Sequence, residues 1–161
     1  MTGPSAATDV HEQVRAMLAL QRDHAAATEM LNAIESVRAQ LQSLRAQANA
    51  DAAVRDAGAA LEQKFMDVEG RLVDLRLTGR GQDEVRYPVR LGGQLSYVAN
   101  GIDDSDFAPT TQQREVAGLL AKETRDVQSA LQALMSRDLA DYNSQLRSRG
   151  LKTIDAPAIV F

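Results

Sequence analysis

His11 and His24 are the only imidazoles in the chain and cysteine is absent, so the metal and nucleophile chemistry open to it is narrow. A metal held between helices needs His and carboxylate side chains three or four residues apart, projecting inward from several rods. His11 and His24 instead stand thirteen residues apart on one predicted helix, with no HExxH or ExxH pattern around either. Glu35 and Glu69 are isolated, and all four read as solvated or flanking residues. Asp103, Asp104 and Asp106, with Asn100 nearby, form the sharpest charge cluster. It lacks the glycine and the closing glutamate of a calcium loop. The simpler reading is acids placed just before a helix amino terminus, where the dipole favours them; a weak calcium site is the alternative. Thr78 to Gly81 imitates a phosphate cradle, but no GxxxxGK[ST] follows a strand there. The serines lack a nucleophile elbow, and neither histidine has a triad partner. Paired carboxylates for sugar hydrolysis need a concave scaffold, which packed rods offer poorly. Glu62, Lys64, Asp67 and Arg71 read as a solvated helix face with i,i+4 pairs. The sequence therefore assigns no catalytic residue, no cofactor and no metal ligand.

The elements that would carry these residues follow from composition. The 161 residues hold 44% hydrophobic side chains but only 4% aromatics, with no Trp and four Pro. Such an Ala- and Leu-rich mixture favours helices over sheets. Eighteen Lys and Arg against 22 Asp and Glu give a net charge of -4, without the basic footprint of a nucleic-acid binder. No run approaches a membrane span, so no membrane insertion is expected.

Residues 1–7 read as a disordered start. The first helix is predicted over 8–48, with Val10, Val14 and Met17 marking one seam and Met30, Ile34, Val37, Leu41, Leu44 and Ala48 another. A second helix, 52–77, carries Val54, Gly58, Leu61, Phe65, Val68, Leu72 and Leu75 in alternating steps of four and three, the coiled-coil period. The break between them is short, which normally joins antiparallel neighbours. Gly79 to Tyr87 reads as the longest loop. Pro88 suits the first position of a third helix, 88–101, whose Gly92 and Gly93 suggest a close backbone approach. A capping box at Thr110 and Gln113 opens the fourth helix, 110–149. Its seam, Val116, Leu120, Val127, Leu131 and Leu134, drifts to Leu139, Tyr142 and Leu146. Gly150 closes it, with a Schellman cap predicted between Leu146 and Leu151. The fold class expected is all-α: one antiparallel up-down four-helix bundle over 8–150, with two long and two shorter helices, followed by an apolar tail over 151–161.

The stretch from Arg86 to Leu151 resembles the carboxy-terminal region of bacterial sortilin-like BNR-repeat proteins, often labelled glycosyl hydrolases. Tyr87, Pro88, Arg90, Leu91 and Leu95 match the family's [YF]PxRLxxKL segment. Asp106, Pro109 and Thr110 fit its acidic DxxxxPT turn loosely, and Asp138, Asp141, Tyr142, Asn143 and Leu146 match DxxxFNxLL. Gln94 and Tyr142 depart from the usual Lys and Phe. Ile34 to Leu44 is similar to the helix that leads into this region. The resemblance implies a β-propeller in a parent protein, with any sugar chemistry located there, and a periplasmic or secreted location. No catalytic residue of the family can be placed on this chain.

The function expected is a non-catalytic helical accessory domain, a spacer or docking module whose partner is a protein: the parent propeller or a second copy. The alternative is a stand-alone interaction protein dimerising through its coiled coil or apolar tail. The structural residues are Tyr87, Pro88, Arg90, Asp138, Asn143 and Gly150, with Arg90 expected to clamp Asp138 or Asp141.

Overall fold

A computed structural model describes residues 4–47, 52–77, 86–105 and 107–159, the side chains of 4–7 excepted. The secondary structure is helical, with no strand among the described residues. Helix α1 spans Pro4–Gln47, α2 Ala52–Leu72 and α3 Leu91–Asp103; the fourth rod is α4, Thr111–Ala133, continued by a π-helical segment Leu134–Leu139 and by α5, Ala140–Ser148. The all-α expectation holds. Helix α1 starts at Pro4, within the stretch read as a disordered start. The packing forms two compact units: unit 1, Met1–Thr28 with Leu72–Asp126, and unit 2, Glu29–Arg71 with Val127–Phe161.

Unit 2 is built where the heptad pattern is clean. Met30, Ile34, Val37 and Leu41 of α1, Val54, Leu61 and Phe65 of α2, and Val127, Leu131, Leu134, Leu139, Tyr142 and Leu146 of the fourth rod are all buried. Each such large side chain contributes about 1.5–3 kcal/mol of hydrophobic stabilisation. The drift in the last seam has a physical cause. From Leu120 the buried positions run through Thr124, Val127, Leu131 and Leu134 in steps of four and three, and then jump five to Leu139. A π-turn takes up one extra residue per turn, so the Leu134–Leu139 segment returns Leu139, Tyr142 and Leu146 to the core. The rod ends as predicted: Gly150 has φ 68°, the Leu151 amide donates to Leu146 O at 3.0 Å and the Gly150 amide to Arg147 O at 3.0 Å, the paired bonds of a Schellman cap.

Unit 1 departs further from the expectation. Val10 and Val14 are exposed, and α1 buries Leu20 and Ala27 instead. Helix α3 begins at Leu91 with Arg90 as N-cap, so Pro88 lies before the helix rather than in its first turn. It buries the predicted stripe Leu91, Leu95, Val98 and Ile102. A Cβ on Gly92 would stand 3.3 Å from Leu72 O, the close backbone approach expected there, whereas one on Gly93 would meet the Val89 side chain. The capping box is present: the Gln113 amide donates to Thr110 Oγ1 at 3.1 Å, and the Thr110 amide to Gln113 Oε1 at 2.9 Å. Helix α2 stops at Leu72, short of the predicted 77, because Asp74 captures the Arg76 amide in a local turn.

Helix directions follow from which residues meet. In unit 2, Arg38 pairs with Glu69 and Arg45 with Glu62, so α1 and α2 run in opposite directions. In unit 1, Glu12 meets Arg114 at 3.4 Å, and further along both helices the Asp23 carboxylate feels Arg125. Helices α1 and α4 therefore run in the same direction there. A strictly alternating up-down order would make the first and last helices antiparallel, so this part of the expectation is corrected. Gln13 of α1 and Gln113 of α4 both bind the end of α3. Gln13 Nε2 donates to Ile102 O at 2.9 Å and Ser105 O at 2.7 Å, and Gln113 Nε2 to Gly101 O at 2.9 Å. These amides satisfy carbonyls that the last turn of a helix leaves without intrahelical partners.

Candidate functional site

The polar residues gather into three groups. In unit 1 the centre is Asp74, a buried carboxylate that the sequence reading did not single out. Its Oδ1 accepts from Arg76 Nε at 2.8 Å, its Oδ2 from Arg76 Nη2 at 2.7 Å, and Arg90 Nη2 lies 3.6 Å away. The fork of hydrogen bonds from Arg76, reinforced by its charge and that of Arg90, holds the Asp74 carboxyl well below the usual carboxylate range. The Arg76 guanidinium also sits 4.4 Å over the Tyr87 ring, in cation–π range. Arg90 thus clamps a carboxylate, but the carboxylate is Asp74; Asp138 is paired with Lys64. The local turn after α2 places Asp74 beside Arg76, two residues on, which is cheaper to form than a distant clamp. Pro88 is exposed ahead of α3.

In unit 2, α2 presents Glu62 and Glu69 to α1. Both are buried, against the reading of Glu62 as solvated and Glu69 as isolated. Glu62 accepts from Gln42 Nε2 at 2.6 Å and Arg45 Nη1 at 2.6 Å; Glu69 accepts from Arg38. Burial pushes the Glu69 carboxyl upward, and the Arg38 charge and hydrogen bond only partly oppose it. Arg38 Nε is buried with no hydrogen-bond partner among the described residues. The signal was present in the sequence: Glu62 and Glu69 are seven apart, as are Arg38 and Arg45, so each pair shares one helix face. The observed cross-pairing, Arg38 with Glu69 and Arg45 with Glu62, is the order that antiparallel helices give.

The third group surrounds Tyr142 and Asn143. Tyr142 Oη donates to Val54 O at 3.2 Å, and a Cβ on Gly58 would fall 2.7 Å from that hydroxyl. Burial raises the Tyr142 phenol. Asn143 holds the tail: its Oδ1 accepts from the Ile154 amide at 2.8 Å and its Nδ2 donates to Ile154 O at 2.9 Å. Gln40 of α1 does the same one residue later, accepting from the Asp155 amide at 2.8 Å and donating to Asp155 O at 2.9 Å. Ile154 is buried, while Lys152 and residues 155–158 are exposed. Of the residues singled out from sequence, Asn143 and Gly150 thus belong to the anchoring of the tail.

The remaining candidates stay apart. His11, His24 and Glu35 are exposed on α1. Asp103 and Asp104 lie at the carboxy end of α3, not ahead of a helix amino terminus, and Asp106 lies outside the described residues. No group of three or more His, Cys, Asp or Glu side chains suited to a metal occurs among the described residues. Nor is any of their helices long and apolar enough to cross a membrane. Thr78 to Gly81 and Ala48 fall outside the described residues.

The surface carries the larger asymmetry. Val10, Val14 and Leu18, spaced by four along α1, are 52%, 49% and 54% exposed. Leu75, Leu77, Val89, Tyr97, Phe107, Val116 and Leu119 are exposed as well, Tyr97 and Phe107 at 81% and 75%. All of these residues belong to unit 1. No family model matches the chain, and searches of curated proteins and of solved structures find no match either.

Proposed function

We propose that this chain is a non-catalytic helical accessory domain, a docking module that presents the apolar surface of unit 1 to a protein partner. The concentration of exposed Val, Leu, Tyr and Phe in one unit carries this reading. Isolated exposed apolar residues need no explanation, whereas their accumulation on one part of a soluble protein marks an interaction surface. The polar groups behave as structural pairs: Asp74 is saturated by Arg76, Glu62 by Gln42 and Arg45, and Glu69 by Arg38. On the resemblance to sortilin-like BNR-repeat proteins, the partner is the propeller of a parent protein, and any glycosyl hydrolase activity and any periplasmic or secreted address belong to that parent.

The alternative, a stand-alone protein that dimerises, draws support from the Val10, Val14 and Leu18 row, which has the spacing of a helix–helix seam. Sedimentation of the full chain over a concentration series separates the two. A propeller-docking module stays monomeric throughout; a self-associating chain gains mass with concentration and loses that gain in Val14→Asp. Failure of Val14→Asp and Leu18→Asp to alter binding to a propeller partner would remove the docking reading.

A further inference from the structure

We propose that the seat of Ile154 in unit 2 is a peptide-binding site that accepts an extended aliphatic segment in trans, its occupant being the tail of a second copy of this chain. The recognition is of the main chain. Asn143 and Gln40 each present a carboxamide whose oxygen accepts from a backbone amide and whose nitrogen donates to the carbonyl of the same residue, on the consecutive residues Ile154 and Asp155. Two such grips, one from α5 and one from α1, hold the main chain at consecutive residues, where a single neighbouring strand would pair with only every second one. Selectivity comes from the buried Ile154 side chain between exposed Lys152 and Asp155.

The tail reaches this seat from Gly150, whose left-handed backbone ends the helix, through Leu151, Lys152 and Thr153. It is therefore a short arm held at one buried side chain and two backbone residues. An identical arm on another copy carries the same donors, acceptors and sec-butyl side chain, which is the chemical basis of exchange of an element between copies. In the intact chain the tethered arm competes at an effective concentration on the order of millimolar, so the cis arrangement dominates until that competitor is removed.

Two full-length variants remove it in complementary ways. Ile154→Asp keeps the Gln40 and Asn143 grip but cannot bury its own tail. Gln40→Ala/Asn143→Ala keeps an intact tail but cannot hold it. Neither variant alone pairs by this route, whereas an equimolar mixture gives a species of doubled mass in sedimentation velocity. Adding Ile154→Asp to the grip-deficient variant abolishes that species. Circular dichroism checks that both variants keep their helices, and Gln40→Ala alone serves as the donor if the double variant does not. A mixture that sediments as the sum of its parts overturns the proposal, as does a doubled species that survives the added Ile154→Asp. Association through the apolar surface of unit 1 would appear equally in every sample and is thereby distinguished.

Discussion

Unit 2 and unit 1 draw on the same helix-forming residues yet finish differently. Unit 2 buries its heptad positions, pairs the charges that enter its core and seats its own tail. Among the described residues, unit 1 has a shorter buried set, Leu20, Ala27, Leu72, Leu91, Leu95, Val98, Ile102 and Leu120, and leaves more large apolar side chains outside than inside. The difference teaches that apolar periodicity alone does not locate a core. Val10 and Val14 have helical spacing yet stay exposed, whereas Met30, Ile34, Val37 and Leu41 are buried, as are Phe65 and Leu131 of the same unit.

Core truncation should show the contrast at its strongest. Phe65→Ala removes a fully buried ring from unit 2 and should lower stability by about 3–5 kcal/mol, read by urea denaturation; Val14→Ala in unit 1 should change it by less than about 0.5 kcal/mol. Comparable losses from the two would erase the distinction.

Next in size is Gly58→Ala. Alanine in a helix ordinarily gains up to about 1 kcal/mol over glycine, but here the new Cβ would meet Tyr142 Oη at 2.7 Å. We expect a net loss of about 1–3 kcal/mol. The loss should shrink in a Tyr142→Phe background, where the clashing hydroxyl is gone. A stabilised Gly58→Ala variant would mean that unit 2 is looser than its contacts indicate.

The buried acids give the units opposite responses to pH at two positions. Asp74 in unit 1 is lowered from 3.8, so it stabilises the fold above that value and the contribution fades as pH falls further. Glu69 in unit 2 is raised from 4.5, so its contribution is complete below that value and is lost as pH rises through the folded value. Melting temperatures across the acid range should therefore decline less at the acid end for Asp74→Asn, and Glu69→Gln should lose the decline that begins above 4.5. Unchanged profiles would show that neither carboxyl is coupled to folding.

Much of this was legible in the sequence because it is local. Thr110 with Gln113, and Leu146 with Gly150 and Leu151, specify helix ends through bonds within a few residues, and both ends form as the pattern predicts. The five-residue step from Leu134 to Leu139 was visible as a drift, and the π-turn is what absorbs it. The pairings of Arg90 and Asp138 were not legible, since a carboxylate and a guanidinium can meet at many separations. Burial of Glu62 and Glu69 was legible only in part: their seven-residue spacing marks one helix face, but a charge on a helix reads as solvated until a facing cation is known. The direction of α4 against α1 depends on contacts such as Glu12 with Arg114, which local periodicity does not encode. Of the two side chains that anchor the tail, Asn143 was singled out in sequence, but Gln40, a neutral side chain with no distinguishing neighbours, was not.

The most direct test of the proposed docking surface is the melting temperature and hydrophobic-dye binding of the full chain carrying Val14→Asp, Leu18→Asp and Leu119→Asp together. Exposed docking residues predict a melting temperature within about 2 °C of the unaltered chain, because surface changes away from buried groups alter stability little, and a marked fall in dye binding. A large drop in melting temperature with dye binding unchanged or increased would show that these side chains are core, and would contradict the account.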